Sequence, residues 1–224
     1  MAVMSLSVDP SKGIVSFLDG LRDIRRIKLM FPGIQNTFQT HTETSYLLHR
    51  NFSKRISTFG LCPQELSRIL FLTGTIIGGS LPLQCVTGEF YDYNNSSDID
   101  LYIHNSGRPI ILGYIMSRGY VVEKMQRDNS GRIHGNWCSH EYDVAIGDEY
   151  MAISSGISLF HHKTGQKIDC LIMKWDRYPR DAIYNYDFSF LRNFYDGKKF
   201  HLSKANDILM QRGSYNQVCT SQEI

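Results

Sequence analysis

The segment Asp98-Ile99-Asp100-Leu101-Tyr102-Ile103 places two carboxylates, one position apart, at the start of a run of large apolar residues. Alternate side chains of a β-strand point to the same face of a sheet. If this run is a strand, Asp98 and Asp100 lie side by side on one face. Two like charges so close repel each other, and one carboxyl takes up a proton unless a cation lies between them. The pair therefore predicts a strand with a divalent metal site on one face.

A third carboxylate lies in a second apolar run, Lys167-Ile168-Asp169-Cys170-Leu171-Ile172-Met173. A lone buried carboxylate is costly unless it is paired or bound to metal, so Asp169 is expected to join the first two acids if the two strands are neighbours. Oxygen-only ligands favour Mg²⁺ or Mn²⁺ over zinc. Lys167 shares the face of Asp169 and is a candidate phosphate ligand, with an ordinary surface position as the alternative. Asp143 is the rival third acid.

Gly78-Gly79-Ser80 follows a short β-branched run and precedes a segment that can form a helical turn. Glycines let a ligand approach the backbone closely, and the first turn of a helix offers unpaired N–H groups to an anion. The hydroxyl of Ser80 adds a further donor. A phosphate cradle beside a carboxylate cluster suits a metal–triphosphate and in-line attack on a phosphoryl group.

The order of these motifs and their positions relative to the predicted strands resemble those of the nucleotidyltransferase superfamily, whose palm is similar to that of DNA polymerase beta. The motifs are Gly79-Ser80, Asp98-x-Asp100 and the later acid Asp169. The resemblance implies that an NTP such as ATP is bound by Gly79 and Ser80. It implies that Asp98 and Asp100 ligate both metal ions, and that Asp169 lies at the same centre and helps to activate the attacking hydroxyl. The acceptor would be RNA, a protein or a small molecule.

The resemblance covers roughly residues 63–173, about half of the chain. The spacer between Ser80 and Asp98 is longer than the family pattern, through an insertion at residues 89–97. The C-terminal motif Phe194-Tyr195-Asp196-Gly197 looks like short members of the family from large DNA viruses. Two other functions stay open: a catalytically silent member that serves as a binding or assembly module, and a phosphoesterase that uses the same metals.

Periodicity predicts an α/β (α+β) fold in which a small mixed β-sheet is flanked by helices, with helical extensions at both ends. Residues 1–60 are assigned to an N-terminal extension with a basic amphipathic helix, 61–180 to the catalytic domain, and 181–224 to a C-terminal helical segment packed on it. Residues 34–58 have no clear pattern. Helices are predicted at residues 14–29, 63–73, 81–86, 109–118, 187–197 and 203–213. Strands are predicted at residues 75–77, 98–104, 120–126, 157–162 and 167–173.

The net charge of +2 is too small to indicate nucleic-acid binding, but residues 1–60 carry eight Lys/Arg against four Asp/Glu, a balance of +4. That segment is the basic track that an RNA acceptor would need.

Five cysteines without paired spacing favour a reducing compartment, hence the cytoplasm, or the host cytoplasm for a viral protein. No run reaches the roughly 18 apolar residues of a membrane span. One group of residues invites a zinc site, but its spacing fits no closed site: His134, Cys138, His140, His161 and His162.

Overall fold

The computed structural model describes residues 40–89, 98–126, 152–184, 186 and 191–203. Five helices lie in these ranges: α1 (Thr40–Thr58), α2 (Pro63–Thr73), α3 (Ser80–Thr87), α4 (Arg108–Ser117) and α5 (Pro179–Tyr184). Seven strands accompany them: β1 (Ile76–Gly78), β2 (Ile99–Ile103), β3 (Val121–Gln126), β4 (Ile153–His161), β5 (Gln166–Met173), β6 (Phe194–Tyr195) and β7 (Phe200–His201).

The strands form one sheet in the order β3-β4-β5-β2-β1-β6-β7. Strands β2 and β5 pair in parallel, and every other neighbouring pair is antiparallel. The predicted mixed sheet flanked by helices is therefore confirmed. The parallel pair occupies the centre of the sheet, so residues 69 positions apart in the chain become direct neighbours there.

Turn residues mark the ends of the predicted elements around β1. Helix α2 has Pro63 in its first turn and ends at Gly74, whose φ of 65° lets its N–H bond to the carbonyl of Leu70. Helix α3 ends in the same way at Gly88, which bonds to the carbonyl of Gln84. These boundaries agree with the sequence-based prediction to within one or two residues.

The two faces of the sheet have different coverings. Alternate residues of β2, such as Ile99 and Leu101, point into the main core with apolar residues from α1, α2, α3 and α4. Tyr102 points to the opposite face, where a smaller cluster includes Leu171 of β5 and Ile183 of α5. The acidic residues of β2 and β5 alternate with the main-core residues, so they lie on the face that α5 covers.

Helix α1 was missed by the sequence analysis because polar residues interrupt its apolar stripe. Phe52 and Ile56 are buried in the main core, together with the polar Asn51 and Arg55. Asn51 donates a hydrogen bond to the carbonyl of Cys85 at 2.9 Å, which offsets the cost of its burial. The described part of the predicted N-terminal extension is thus an integral layer of the domain.

The prediction of a helix over residues 187–197 is wrong at its C-terminal end, where Phe194 and Tyr195 form strand β6. Tyr195 pairs with Ile77 of β1 and packs against Phe52, with ring centroids 4.4 Å apart. Aromatic residues suit a half-buried strand, and tertiary contacts here outweigh helical spacing. A segment expected to be helical therefore extends the sheet. Residues 187–190, and the helices predicted at residues 14–29 and 203–213, lie outside the described ranges.

No helix in the described ranges is long and apolar enough to cross a membrane. Cys62, Cys85 and Cys170 have free thiols, and the last two are fully buried in the main core. Cys85 and Cys170 therefore act as small apolar residues of the core.

We expect Gly197→Ala to destabilise the fold more than Gly165→Ala. Both glycines have positive φ, 86° and 68°, so both variants incur a backbone penalty of about 1–2 kcal/mol. A Cβ at Gly197 would lie 2.3 Å from the carbonyl oxygen of Ser67, whereas a Cβ at Gly165 would meet nothing within 4 Å. Urea unfolding should show a further loss of about 1–3 kcal/mol for Gly197→Ala. Equal losses would mean that the β6–β7 hairpin does not pack on α2.

Candidate metal centre

Strands β2 and β5 bring the three predicted acids together. Asp100 lies directly opposite Asp169 in the parallel register, and Asp98 immediately precedes β2 on the same face. One carboxylate oxygen from each residue lies within 4.8 Å of the other two, a spacing at which the three could hold a metal ion. The predicted convergence of the carboxylates is confirmed.

Asp169 is the most deeply placed of the three acids, with 3% of its surface exposed, whereas Asp98 and Asp100 are half-buried. Its Oδ2 atom accepts a hydrogen bond from Nζ of Lys167 at 2.9 Å. Its Oδ1 atom is buried and accepts no hydrogen bond of ordinary geometry from the described part of the chain. A buried oxygen of this kind is costly unless a further partner compensates it. All three donors are carboxylates, which suits a hard divalent cation such as Mg²⁺ or Mn²⁺.

The protonation of the cluster reflects its burial. Burial, reinforced by the charges of Asp98 and Asp169, raises the pKa of Asp100 to about 8. Burial also raises the pKa of Asp169 to about 6, although the hydrogen bond and charge of Lys167 act in the opposite direction. At neutral pH the cluster therefore cannot ionise fully without a compensating positive charge.

Lys167 supplies part of that charge. Burial lowers the pKa of its ammonium group, but the hydrogen bond to Asp169 and the charges of Asp169 and Asp98 raise this pKa by a larger amount. The net shift is upward, so the lysine stays charged. Its ion pair with Asp169 is half-exposed on the lysine side. The residue predicted to contact phosphate thus lies at the carboxylate cluster.

Gly79 lies against the Asp100 carboxylate. Its φ of 66° and ψ of −141° are accessible to glycine and strained for other residues. A Cβ at this position would lie 1.9 Å from Oδ2 of Asp100. The close contact observed at Gly79 is therefore with the Asp100 carboxylate, whereas the predicted approach of a ligand stays a prediction.

Gly78 lies in a tightly packed position that has no room for a side chain. A Cβ there would lie 2.4 Å from Cδ1 of Ile183 and 2.8 Å from Cε2 of Tyr102. Its backbone pairs with Asp100. Gly78 therefore lets α5 pack close to the acidic end of β2.

Ser80 is the first residue of α3 and is half-buried. Its Oγ accepts a hydrogen bond from Nε2 of Gln84 at 3.2 Å, so its hydroxyl hydrogen can still donate. Oε1 of Gln84 is buried and has no hydrogen-bond partner among the described residues. The sequence analysis missed Gln84, although the four-residue spacing from Ser80 on a helix could have indicated the contact.

Ser158 of β4 is a second residue that the sequence analysis missed. It lies opposite Asp169 in the antiparallel β4–β5 register, is buried, and lowers the pKa of that carboxyl. The hairpin register could have indicated this neighbour, since β4 and β5 are joined by a short turn. His161, a candidate zinc ligand, instead accepts a hydrogen bond from the backbone N–H of Thr164 at 3.1 Å in that turn.

The remaining predicted candidates, Asp143 and the histidines and cysteine of residues 134–140, lie outside the described ranges. The described residues define a protein with a mixed sheet and a three-carboxylate cluster on the face that α5 packs against. No protein-family model, curated protein or solved structure matches this chain.

We expect the metal-free protein to lose stability as the pH rises from about 4 to about 8. Within this window the folded state retains the Asp100 proton that an unfolded aspartate, with a pKa of about 3.9, has already released. In EDTA, the contribution of Asp100 to the free energy of unfolding should fall by up to about 1.4 kcal/mol per pH unit, and Asp169 should add a similar contribution below about pH 6. Asp100→Asn should flatten this dependence, whereas Asp176→Asn, at an exposed site, should leave it intact.

Mg²⁺ should oppose this loss. The ion competes with the proton for the carboxylates, so the rise in melting temperature on adding Mg²⁺ should be larger at pH 8 than at pH 5. A rise of equal size in wild type and Asp100→Asn would contradict binding at the cluster.

Proposed function

We propose that this chain is a metal-dependent nucleotidyltransferase that transfers a nucleoside monophosphate from an NTP to a hydroxyl acceptor and releases pyrophosphate. The observation that carries the proposal is the set of three carboxylate oxygens within 4.8 Å of one another, beside the Gly79–Ser80 turn. Clusters of this kind suit hard cations, whose remaining ligands are commonly phosphate oxygens.

Asp98, Asp100 and Asp169 would hold Mg²⁺ or Mn²⁺. When bound, such ions stabilise the entering and leaving oxygens of an in-line displacement. Gly79 lies against the Asp100 carboxylate and α3 begins at the next residue, so a phosphate bound by the N–H groups of the first turn of α3 would lie close to the cluster. The Ser80 hydroxyl and the Lys167 ammonium are further donors for the triphosphate.

Asp169 is assigned the proton-transfer role. A carboxylate with a pKa of about 6 is largely ionised at neutral pH, yet is basic enough to accept the proton of an attacking hydroxyl. The oxygen of that hydroxyl forms a bond to the α-phosphorus, the bond to the β-phosphate oxygen breaks, and pyrophosphate leaves. The ion pair with Lys167 orients the carboxylate.

A silent module is the second candidate, and the same ion pair favours it. Lys167 neutralises one Asp169 oxygen at 2.9 Å, as a structural pair would. A silent module should gain no thermal stability from Mg²⁺ together with an NTP, whereas the enzyme should gain stability from both.

We expect transfer of label from at least one α-labelled NTP, in Mg²⁺ or Mn²⁺, to a pool of RNA and protein acceptors. The double variant Asp98→Asn, Asp100→Asn should abolish it, while Glu65→Gln, on α2 at the opposite face, should retain it. Release of labelled monophosphate without labelled acceptor would indicate a phosphoesterase instead. Label transfer that survives the double change would refute the site.

We further expect Asp169→Asn to lower kcat by about 10²- to 10⁴-fold, the range for loss of a general base. In the wild type, log kcat should rise with pH along an acidic limb and then flatten; bound metal ions lower the pKa of Asp169, so the limb should lie at or below the value of about 6 that applies without metal. This limb should be absent from the residual activity of Asp169→Asn. An unchanged limb in the variant would assign the titration to another group.

A further inference from the structure

Three large aromatic side chains are exposed in the segment that follows β5. Trp175 is 77% exposed, Tyr178 60% and Tyr184 53%. Every large exposed apolar side chain of residues 174–184 is aromatic. A cluster of exposed aromatic rings contributes nothing to the core and is typical of an interaction surface.

The Tyr178 ring lies near an imidazole and a guanidinium group. Tyr178 stacks on His104, with ring centroids 6.0 Å apart and an interplanar angle of 24°. The guanidinium carbon of Arg180 lies 5.6 Å from the centroid of the Tyr178 ring. The two acids of this segment are already engaged: Asp181 accepts the backbone N–H of Tyr178 at 2.8 Å, and Asp176 lies 3.8 Å from Arg177. The surface therefore combines flat rings with positive charge.

This surface adjoins the carboxylate cluster. Helix α5 packs on the acid-bearing face through Ile183, which contacts Gly78, the backbone partner of Asp100. At the other end, His104 follows the last residue of β2, about 13 Å from Asp100 at the usual strand rise. A strand that lies along α5 could therefore present one end to the carboxylates.

We propose that Trp175, Tyr178 and Arg180 form a docking surface for single-stranded nucleic acid. Bases stack on exposed rings whatever their sequence, and a guanidinium can contact both a base and a phosphate. The absence of large exposed aliphatic side chains from residues 174–184 disfavours a protein helix as the occupant. The further assignment of this strand as the acceptor rests on the proposed transferase function. The surface is a second candidate track for nucleic acid, in addition to residues 1–60.

The test is fluorescence anisotropy with a labelled, mixed-sequence single-stranded RNA, measured in EDTA without NTP. The double variant Trp175→Ala, Tyr178→Ala should weaken binding by about tenfold or more, as expected for the loss of two stacking contacts. Phe71→Ala is the matched control, because Phe71 is 58% exposed on α2, at the opposite face, with Nζ of Lys198 5.5 Å from its ring centroid. Melting temperatures would verify that each variant folds.

Arg180→Gln should reduce the slope of log K against log salt by about 0.7, the value for one phosphate contact on a single strand. Single-stranded DNA should also bind, and duplex RNA should bind more weakly because its bases are already stacked. Undetectable binding, or equal binding by wild type and the double aromatic variant, would overturn the docking surface.

The two proposals fail separately. If RNA binds through the aromatic residues but no NTP label is transferred to any acceptor, the surface stands and the transferase function fails. If RNA is labelled equally well by wild type and by the double aromatic variant, the transferase stands and the acceptor role of the surface fails. The double variant Asp98→Asn, Asp100→Asn should bind RNA as tightly as the wild type does, because binding at the aromatic surface does not require the carboxylate cluster.

Discussion

The main physical constraint on this structure is that three mutually repelling carboxylates are held close together across a parallel pair of strands. Asp100 and Asp169 face each other in register, and a free chain would move such charges apart. They are held because neighbouring residues on the same strands, such as Ile99 and Cys170, are fully buried on the opposite face. The apolar core thus fixes a costly cluster in place, and the raised pKa of Asp100 reflects that cost.

The described helices are divided unequally between the two faces of the sheet. Four helices cover one face, whereas the described part of the chain places α5 on the other. The acidic ends of β2 and β5 lie on this second face, and Gly78 lets α5 approach them. In the described part of the chain, the carboxylate cluster therefore lies on the face of the sheet that α5 packs against.

The sequence analysis was most successful where local rules act alone. Proline and glycine marked the ends of α2, and two-residue alternation assigned the acids of β2 to one face. It was least successful where long-range contacts override local pattern. Asn51 and Arg55 hid the buried stripe of α1, because a polar residue can be buried once it finds a partner elsewhere in the fold. Phe194 and Tyr195 have helical spacing with their neighbours but pair with β1 instead.

By itself, the sequence determined that Asp98 and Asp100 share a face, that Asp169 lies within an apolar strand, and that a glycine turn precedes them. These features follow from backbone geometry over a few residues. Only the tertiary structure decided that β2 and β5 are parallel neighbours, that Asp100 lies opposite Asp169, and that α5 packs beside them. Strand order and register arise from packing between segments far apart in the chain, and side-chain periodicity carries no information about which strand will be the neighbour.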